Sequence, residues 1–168
     1  MPTETFDIRK QAYTWQALST MVAFLLILYL IRDRFQSTAG IFPQMDLVQQ
    51  LSVFFLSMLS PIFWVNIIAP VCYLSVAIAA SQVFGRIAKG DDFSEAMIKG
   101  LNDMGSNLMF GACGTMFLTP TLIEWLNFRG GFKFHTSTES FIIFIVGGAL
   151  YFIGQIGKKM RQEIDEIV

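Results

Sequence analysis

Charge is scarce in this chain: 15% of its 168 residues are charged, and 12 Lys and Arg against 13 Asp and Glu leave a formal net charge of −1. An ordinary soluble domain carries about a quarter charged residues, so this chain cannot cover a water-facing surface. The near-balance gives no global field for acidic substrates, and no nucleic-acid partner is expected. Two cysteines, Cys72 and Cys113, without a CxxC pair exclude a disulfide framework and haem attachment. The single histidine, His135, has no second ligand at metal spacing and is read as a loop residue. Gly111-x-x-Gly114 and Gly154-x-x-Gly157 do not form a phosphate-binding pattern, and neither a nucleophile elbow nor HExxH occurs. No catalytic, cofactor-binding or metal-binding residue is assigned, no cofactor is expected, and the chain reads as a non-enzyme.

What the chain has in abundance is apolar surface: 54% of residues are hydrophobic and 17 are Phe, with a mean hydropathy of +0.53. That composition belongs among membrane lipids. A spanning helix needs about 20 mainly apolar residues, because each rises about 1.5 Å through a hydrocarbon layer of about 30 Å. Four stretches qualify. The first is Thr14–Ile31, held between Arg9-Lys10 and Arg32-Asp33-Arg34. Ser37-Thr38-Ala39 has the small-residue spacing of a signal-peptide cleavage site, but Arg32–Arg34 separate it from the apolar core, so a retained span is expected.

The apolar tract Leu47–Phe84 is about twice the length of one span. Ser60-Pro61 divides it, with Ser as N-cap and Pro at the first helical position. Pro61–Phe84 becomes the second span. Before it, Leu47, Leu51, Phe54, Phe55, Met58 and Leu59 recur at helical spacing while Gln49, Gln50, Ser57 and Ser60 fall opposite. Met45–Leu59 therefore reads as an amphipathic helix in the outer, periplasmic interface; a re-entrant hairpin or a fifth span is the alternative. The third span is 102–126, with Pro120 as a kink, and the fourth is 139–157. The expected fold is an all-α membrane protein: a single four-helix transmembrane domain over 1–168, packed as a compact bundle.

Lys and Arg set the orientation. With the N-terminus inside, Arg9, Lys10, Arg86, Lys89, Lys99, Lys158, Lys159 and Arg161 fall in inner segments, against Arg32, Arg34, Arg129 and Lys133 outside. This asymmetry predicts both termini on the cytoplasmic side. Tyr13 and Trp15 then sit at the inner interface and Tyr29, Trp64 and Trp125 at the outer one.

Small residues mark the helix contacts, since association in lipid depends on close packing. Ala77, Ser81 and Gly85 share one face of the second span; Gly111, Gly114 and Thr115 lie together on the third, and Gly147 and Gly154 on the fourth. These serve packing within the chain, or a homo-oligomer seam. Among intramembrane polar residues, Asn66, Asp103 and Thr115 mark a polar path in an alternative reading, a small transporter or channel subunit; Thr119, Ser75, Asn107 and Gln155 can hydrogen-bond across helices. Lys99 stands one turn before Asp103 as an ion-pair partner. A third reading is a lipid-, quinone- or pigment-binding subunit using a Phe-rich groove.

Two inner features stand out. In the loop 85–105, Gly90 ends one helix and Asp92 with Glu95, or Ser94 itself, caps the next, while Phe93 staples the loop onto the bundle. In the tail 158–168, Lys159–Glu163 and Arg161–Asp165 have ion-pair spacing, and Met160, Ile164, Ile167 and Val168 align on one face. The last helix therefore extends about three turns beyond its span with an apolar stripe that wants a partner, either the loop at 87–98 or another protein. Phe93, Ser94, Met160, Ile164 and Ile167 are the candidate partner-binding residues.

Lys89-Gly-Asp-Asp-Phe-Ser-Glu95 and Lys99-Gly-Leu-Asn-Asp-Met-Gly105 resemble the Gly-x-x-Phe-Ser loop and the following Leu-x-x-x-Gly of a family of small four-span bacterial inner-membrane proteins of unknown function. The basic-then-acidic tail also looks like that family's C-terminal helix. The specific part covers about sixteen residues, and Asn102-Asp103 stand where those proteins carry basic residues. The resemblance implies a bacterial inner-membrane location and an accessory or regulatory role beside a membrane complex or a helix-turn-helix regulator. It supplies no catalytic residue.

Overall fold

Prolines, glycines and one aspartate punctuate an otherwise continuous helical chain. The computed structural model describes the backbone of residues 2–90 and 92–167, and no side chain of residues 2–7, Phe93, Asp165 or Ile167. Among the described residues there are helices and no strand. Helix α1 runs Pro2–Thr38, well beyond the expected 14–31, because its flanks are good helix formers and nothing interrupts them before Gly40. The chain turns there through Gly40 N–H to Phe35 carbonyl, 3.0 Å. Ala39 is fully buried, whereas Ser37 beside it is exposed.

Helix α2 (Leu47–Ser57) starts at Asp46, whose backbone N–H donates to the Gln49 side chain. Pro61 opens the short α3 (Pro61–Val65) behind Ser60, at the expected dividing point. α4 (Ile68–Lys89) follows only after a break at 66–67. Pro70 accounts for that break: it has no N–H to offer the Asn66 carbonyl, and its ring crowds the preceding turn. α4 ends at Gly90 with φ 88°, a left-handed position that costs glycine little.

Asp92 then caps α5 (Phe93–Cys113), which passes into a π turn (Gly114–Leu118) and α6 (Thr119–Leu126). Pro120 produces the expected irregularity as an inserted π turn. The last helix, α7 (Thr138–Ile167), is unbroken and carries the tail, as expected.

Among the described residues, three segments are long and apolar enough to cross a membrane: 8–38, 61–89 and 138–164. The rod 93–126 falls short on apolar density, its side chains diluted by Asn102, Asp103, Ser106, Asn107, Thr115 and Thr119. α1 packs chiefly on α4, α4 on α5, and α5 on α7, so the four long rods form an open row instead of the expected compact bundle. The reason is the distribution of small residues. α5 presents them on two faces, whereas α1 and α7 present bulky side chains outward; Phe24, Leu25, Leu28, Ile145 and Phe152 are all exposed.

At the α4–α5 seam, Gly111 lies under the Tyr73 ring and Gly114 against Ala69. The Ser81 and Gly85 stripe faces α1, with Ser81 bonded to Thr20 at 2.8 Å and Gly85 beneath Gln16. At the α5–α7 seam the backbones themselves meet. A Cβ on Gly105 would collide with the Tyr151 amide and the Gly147 carbonyl, and one on Gly154 would sit 2.8 Å from the Asn102 side-chain oxygen. Gly147 and Gly154 thus pack within the chain.

Gly105→Leu should destabilise the protein by about 3 kcal/mol or separate α7 altogether, because backbone cannot yield as a side chain can. Gly148→Ala, where the nearest atom is the Met109 sulfur at 4.0 Å, should be neutral or gain a few tenths of a kcal/mol from helix propensity. Thermal unfolding in detergent measures both; equal losses would refute the seam.

Candidate interaction face

The end of the molecule that holds the start of α1, the α4–α5 turn and the end of α7 gathers the charged residues of three elements. The Arg9 guanidinium lies over Gly90, where it faces the carbonyl end of α4. Asp92 accepts hydrogen bonds from the Ser94 amide at 3.0 Å and the Ser94 hydroxyl at 2.8 Å. Of the expected caps, Asp92 is the one that forms, with Ser94 as donor. The Ser94 hydroxyl is thereby engaged in holding the turn.

Arg161 reaches across from α7 to Asp92 at 3.0 Å and Glu95 at 3.7 Å. The tail and the loop are therefore joined by a two-carboxylate clasp. Sequence spacing paired Arg161 with Asp165 and Lys159 with Glu163; the Asp165 side chain lies outside the described residues, and Lys159 and Glu163 do not reach ion-pair distance. The cross-helix choice follows from the α5–α7 glycine contact, which brings the start of α5 within reach of one long side chain. Ser94, its neighbouring amide and Arg161 together hold the Asp92 carboxyl below its ordinary range.

Beyond the clasp, Met160 is 59% and Ile164 61% exposed, one turn apart on α7. Neither of these two side chains is buried against the loop. The Phe93 and Ile167 side chains and Val168 are outside the described residues.

The polar residues deeper in the molecule are tied up pairwise. Thr115, in the π turn, shares a 2.9 Å hydrogen bond with Ser140 of α7, and Ser140 is buried. Gln155 donates to Asn102 at 3.1 Å across the α5–α7 seam. Asn66 donates to its own helix at Ile62, 3.0 Å, and Asn107 to its own helix at Asp103, 2.9 Å. Thr119 reaches the Val65 carbonyl, 3.5 Å away beside the α3–α4 break. Asp103 and Thr115 are 12 residues apart on one helical rod, about 18 Å, so Asn66, Asp103 and Thr115 are not brought together. Asp103 and Lys99 line the same clefts without pairing.

The loop before α7 repairs the damage done by Pro120. The proline cannot donate to the Met116 carbonyl, and the His135 backbone N–H does so instead, at 2.9 Å. Trp125 donates to the Gly131 carbonyl at 2.7 Å, and Phe117 packs against Phe134 with ring centres 4.6 Å apart and the rings tilted by 42°. His135 is thus used through its backbone. Among the described residues, no group of three or more His, Cys, Asp or Glu side chains is placed to hold a metal.

A depressed folded-state pKa means that the Asp92 carboxylate stabilises the clasp above the ordinary carboxylate range, and that this contribution is lost as pH falls through the folded value. In a background with Cys72 and Cys113 replaced by Ala, a spin label at Glu163 should be restrained at neutral pH and gain mobility in acid. Asp92→Asn with Glu95→Gln should show the mobile spectrum already at neutral pH; identical spectra throughout would refute the clasp. No protein family, curated protein or solved structure matches this chain, so its function is argued from these residues.

Proposed function

We propose that the chain is a multi-pass protein of a bacterial cytoplasmic membrane with both termini inside, and that it works without catalysis by binding a protein partner through its inner face. In this reading the 93–126 rod carries the third of four spans, over 102–126, α2 lies in the periplasmic interface, and the partner is a membrane complex or a cytoplasmic regulator. One observation carries it: the Arg161 clasp makes loop and tail a single surface, yet Met160 and Ile164 on that surface are left exposed. Exposed apolar side chains one turn apart on a helix suit a groove on another protein.

Other features support the membrane placement. Arg9 at Gly90 and Arg161 at Asp92 put the beginning of α1 and the end of α7 at one end of the molecule, as an even number of crossings requires. Leu47, Val48, Leu51, Phe55 and Leu56 form an exposed apolar side of α2, continued by Leu59 in the turn after it, while Gln50 folds inward to the Phe42 and Met45 carbonyls. Tyr13, Trp15, Tyr29, Trp64 and Trp125 are all more than half exposed, where an aromatic belt would need them. The pairwise bonding of Thr115 with Ser140 and of Asn66 with Ile62 supports interaction over transport, since a conducting path needs polar groups free to meet a solute.

Two experiments test this. Single cysteines at Ser94 and Phe128 should react differently with a membrane-impermeant maleimide: Phe128→Cys in intact cells, Ser94→Cys only after permeabilisation. Equal reactivity would mean that 93–126 does not cross. For the partner, Met160→Glu with Ile164→Glu should abolish co-purification in mild detergent while leaving membrane insertion intact. Undiminished recovery would remove the tail from the interaction.

A further inference from the structure

We propose that the α5–α7 seam seats one glycerophospholipid whose headgroup carries a phosphate and a primary ammonium. This rests on the reading that the 93–126 rod crosses the bilayer. Two cavities flank the seam. One, of about 440 Å³, is lined by charged side chains including Glu95, Lys99, Asp103, Lys158 and Arg161. The other, of about 270 Å³, is lined by Ser106, Met109, Phe110, Cys113, Phe144 and Tyr151.

Helical spacing makes them one groove. On α5, Lys99, Ser106 and Cys113 are seven residues apart, as are Glu95, Asn102 and Met109; on α7, Phe144, Tyr151 and Lys158 repeat at the same interval. Seven residues are nearly two helical turns, with a drift of only about 20°, so both cavities open on the same side of the helix pair. Polarity changes once along the groove, near Asp103. From there to Cys113 is ten residues, about 15 Å, half the hydrocarbon thickness and the depth that the acyl chains of one leaflet fill.

The charges select the headgroup. Arg161 is committed to Asp92 and Glu95. Among the described residues, Lys99, Lys158 and Asp103 have no ion-pair partner within 4 Å, although all three line the charged cavity. Two ammoniums suit a phosphate, and one carboxylate suits a cation that can donate hydrogen bonds. An anionic glycerol headgroup would leave Asp103 facing added negative charge. A choline headgroup has no N–H to give it.

Native mass spectrometry of the purified chain, released from detergent in an equimolar mixture of phosphatidylethanolamine, phosphatidylcholine and phosphatidylglycerol, tests the assignment. One phosphatidylethanolamine per chain should be retained in preference to the others. Lys99→Gln and Lys158→Gln should each reduce retention about fivefold, the corresponding Arg variants should restore it, and Asp103→Asn should erase the preference over phosphatidylcholine. Ser106→Phe should fill the apolar groove and release the lipid while thermal unfolding stays unchanged. Preference for phosphatidylglycerol, or retention indifferent to these substitutions, would overturn the proposal. The maleimide experiment reads the crossing separately, so failure of the topology and failure of the lipid site are distinguishable.

Discussion

Close approach of backbones along α5 is the constraint on which the rest of this structure depends. Gly105 meets Gly147 and Tyr151 on one side, while Gly111 and Gly114 admit Tyr73 and Ala69 on the other. Where apolar side chains gain nothing by leaving lipid for protein, dispersion at short range has to hold helices together, and it falls off within a fraction of an ångström. The rod 93–126, which falls short on apolar density, is for that reason an interior one, packed between α4 and α7. Its polar and small residues exclude it from an outward position, and α1 and α7, which carry bulky apolar side chains, take the two ends of the row.

The irregularities of the helices follow from two prolines, each of which removes one backbone donor. Pro70 separates α3 from α4, and Pro120 accompanies the π turn. The orphaned Met116 carbonyl is met by His135 from the loop before α7, and Thr119 reaches the Val65 carbonyl beside the other break. An unpaired carbonyl away from water costs a few kcal/mol, so these contacts bind the loop and the short helices to the long ones. The opposite end of the molecule has a different logic: Arg9, Asp92, Glu95 and Arg161 satisfy helix ends and one another at exposed positions, where each interaction is weak and open to competition by a partner.

The proposed role uses the charged end and the seam that leads away from it. A rigid seam between α5 and α7 aligns the loop and tail so that one arginine spans them, and the same seam borders a groove that changes from charged to apolar along its length. A surface that joins a partner-facing tail to a lipid-facing groove through a single helix pair gives the membrane and the partner a common structural element.

Much of this was legible from residue order. Composition pointed to helices apolar enough to cross a membrane, and three such segments are present among the described residues; Ser60-Pro61, Gly90, Asp92 and Pro120 marked element boundaries, because capping and loss of an N–H are local effects that need no tertiary partner. The glycines at 147 and 154 likewise announced a contact face. Pro70 could have been read the same way as the break at 66–67. Which helix each face would meet was not legible: an open row and a closed bundle use the same periodicities, and only the two-sided distribution of small residues on α5, seen against its neighbours, separates them. Arg161 illustrates the limit. Spacing pairs it with Asp165 on its own helix, a side chain outside the described residues; that the glycine seam brings Asp92 and Glu95 within 4 Å of it is announced by no spacing in the sequence. Local chemistry was settled by the chain's own order of residues; partnership between distant residues was settled by how closely two backbones could approach.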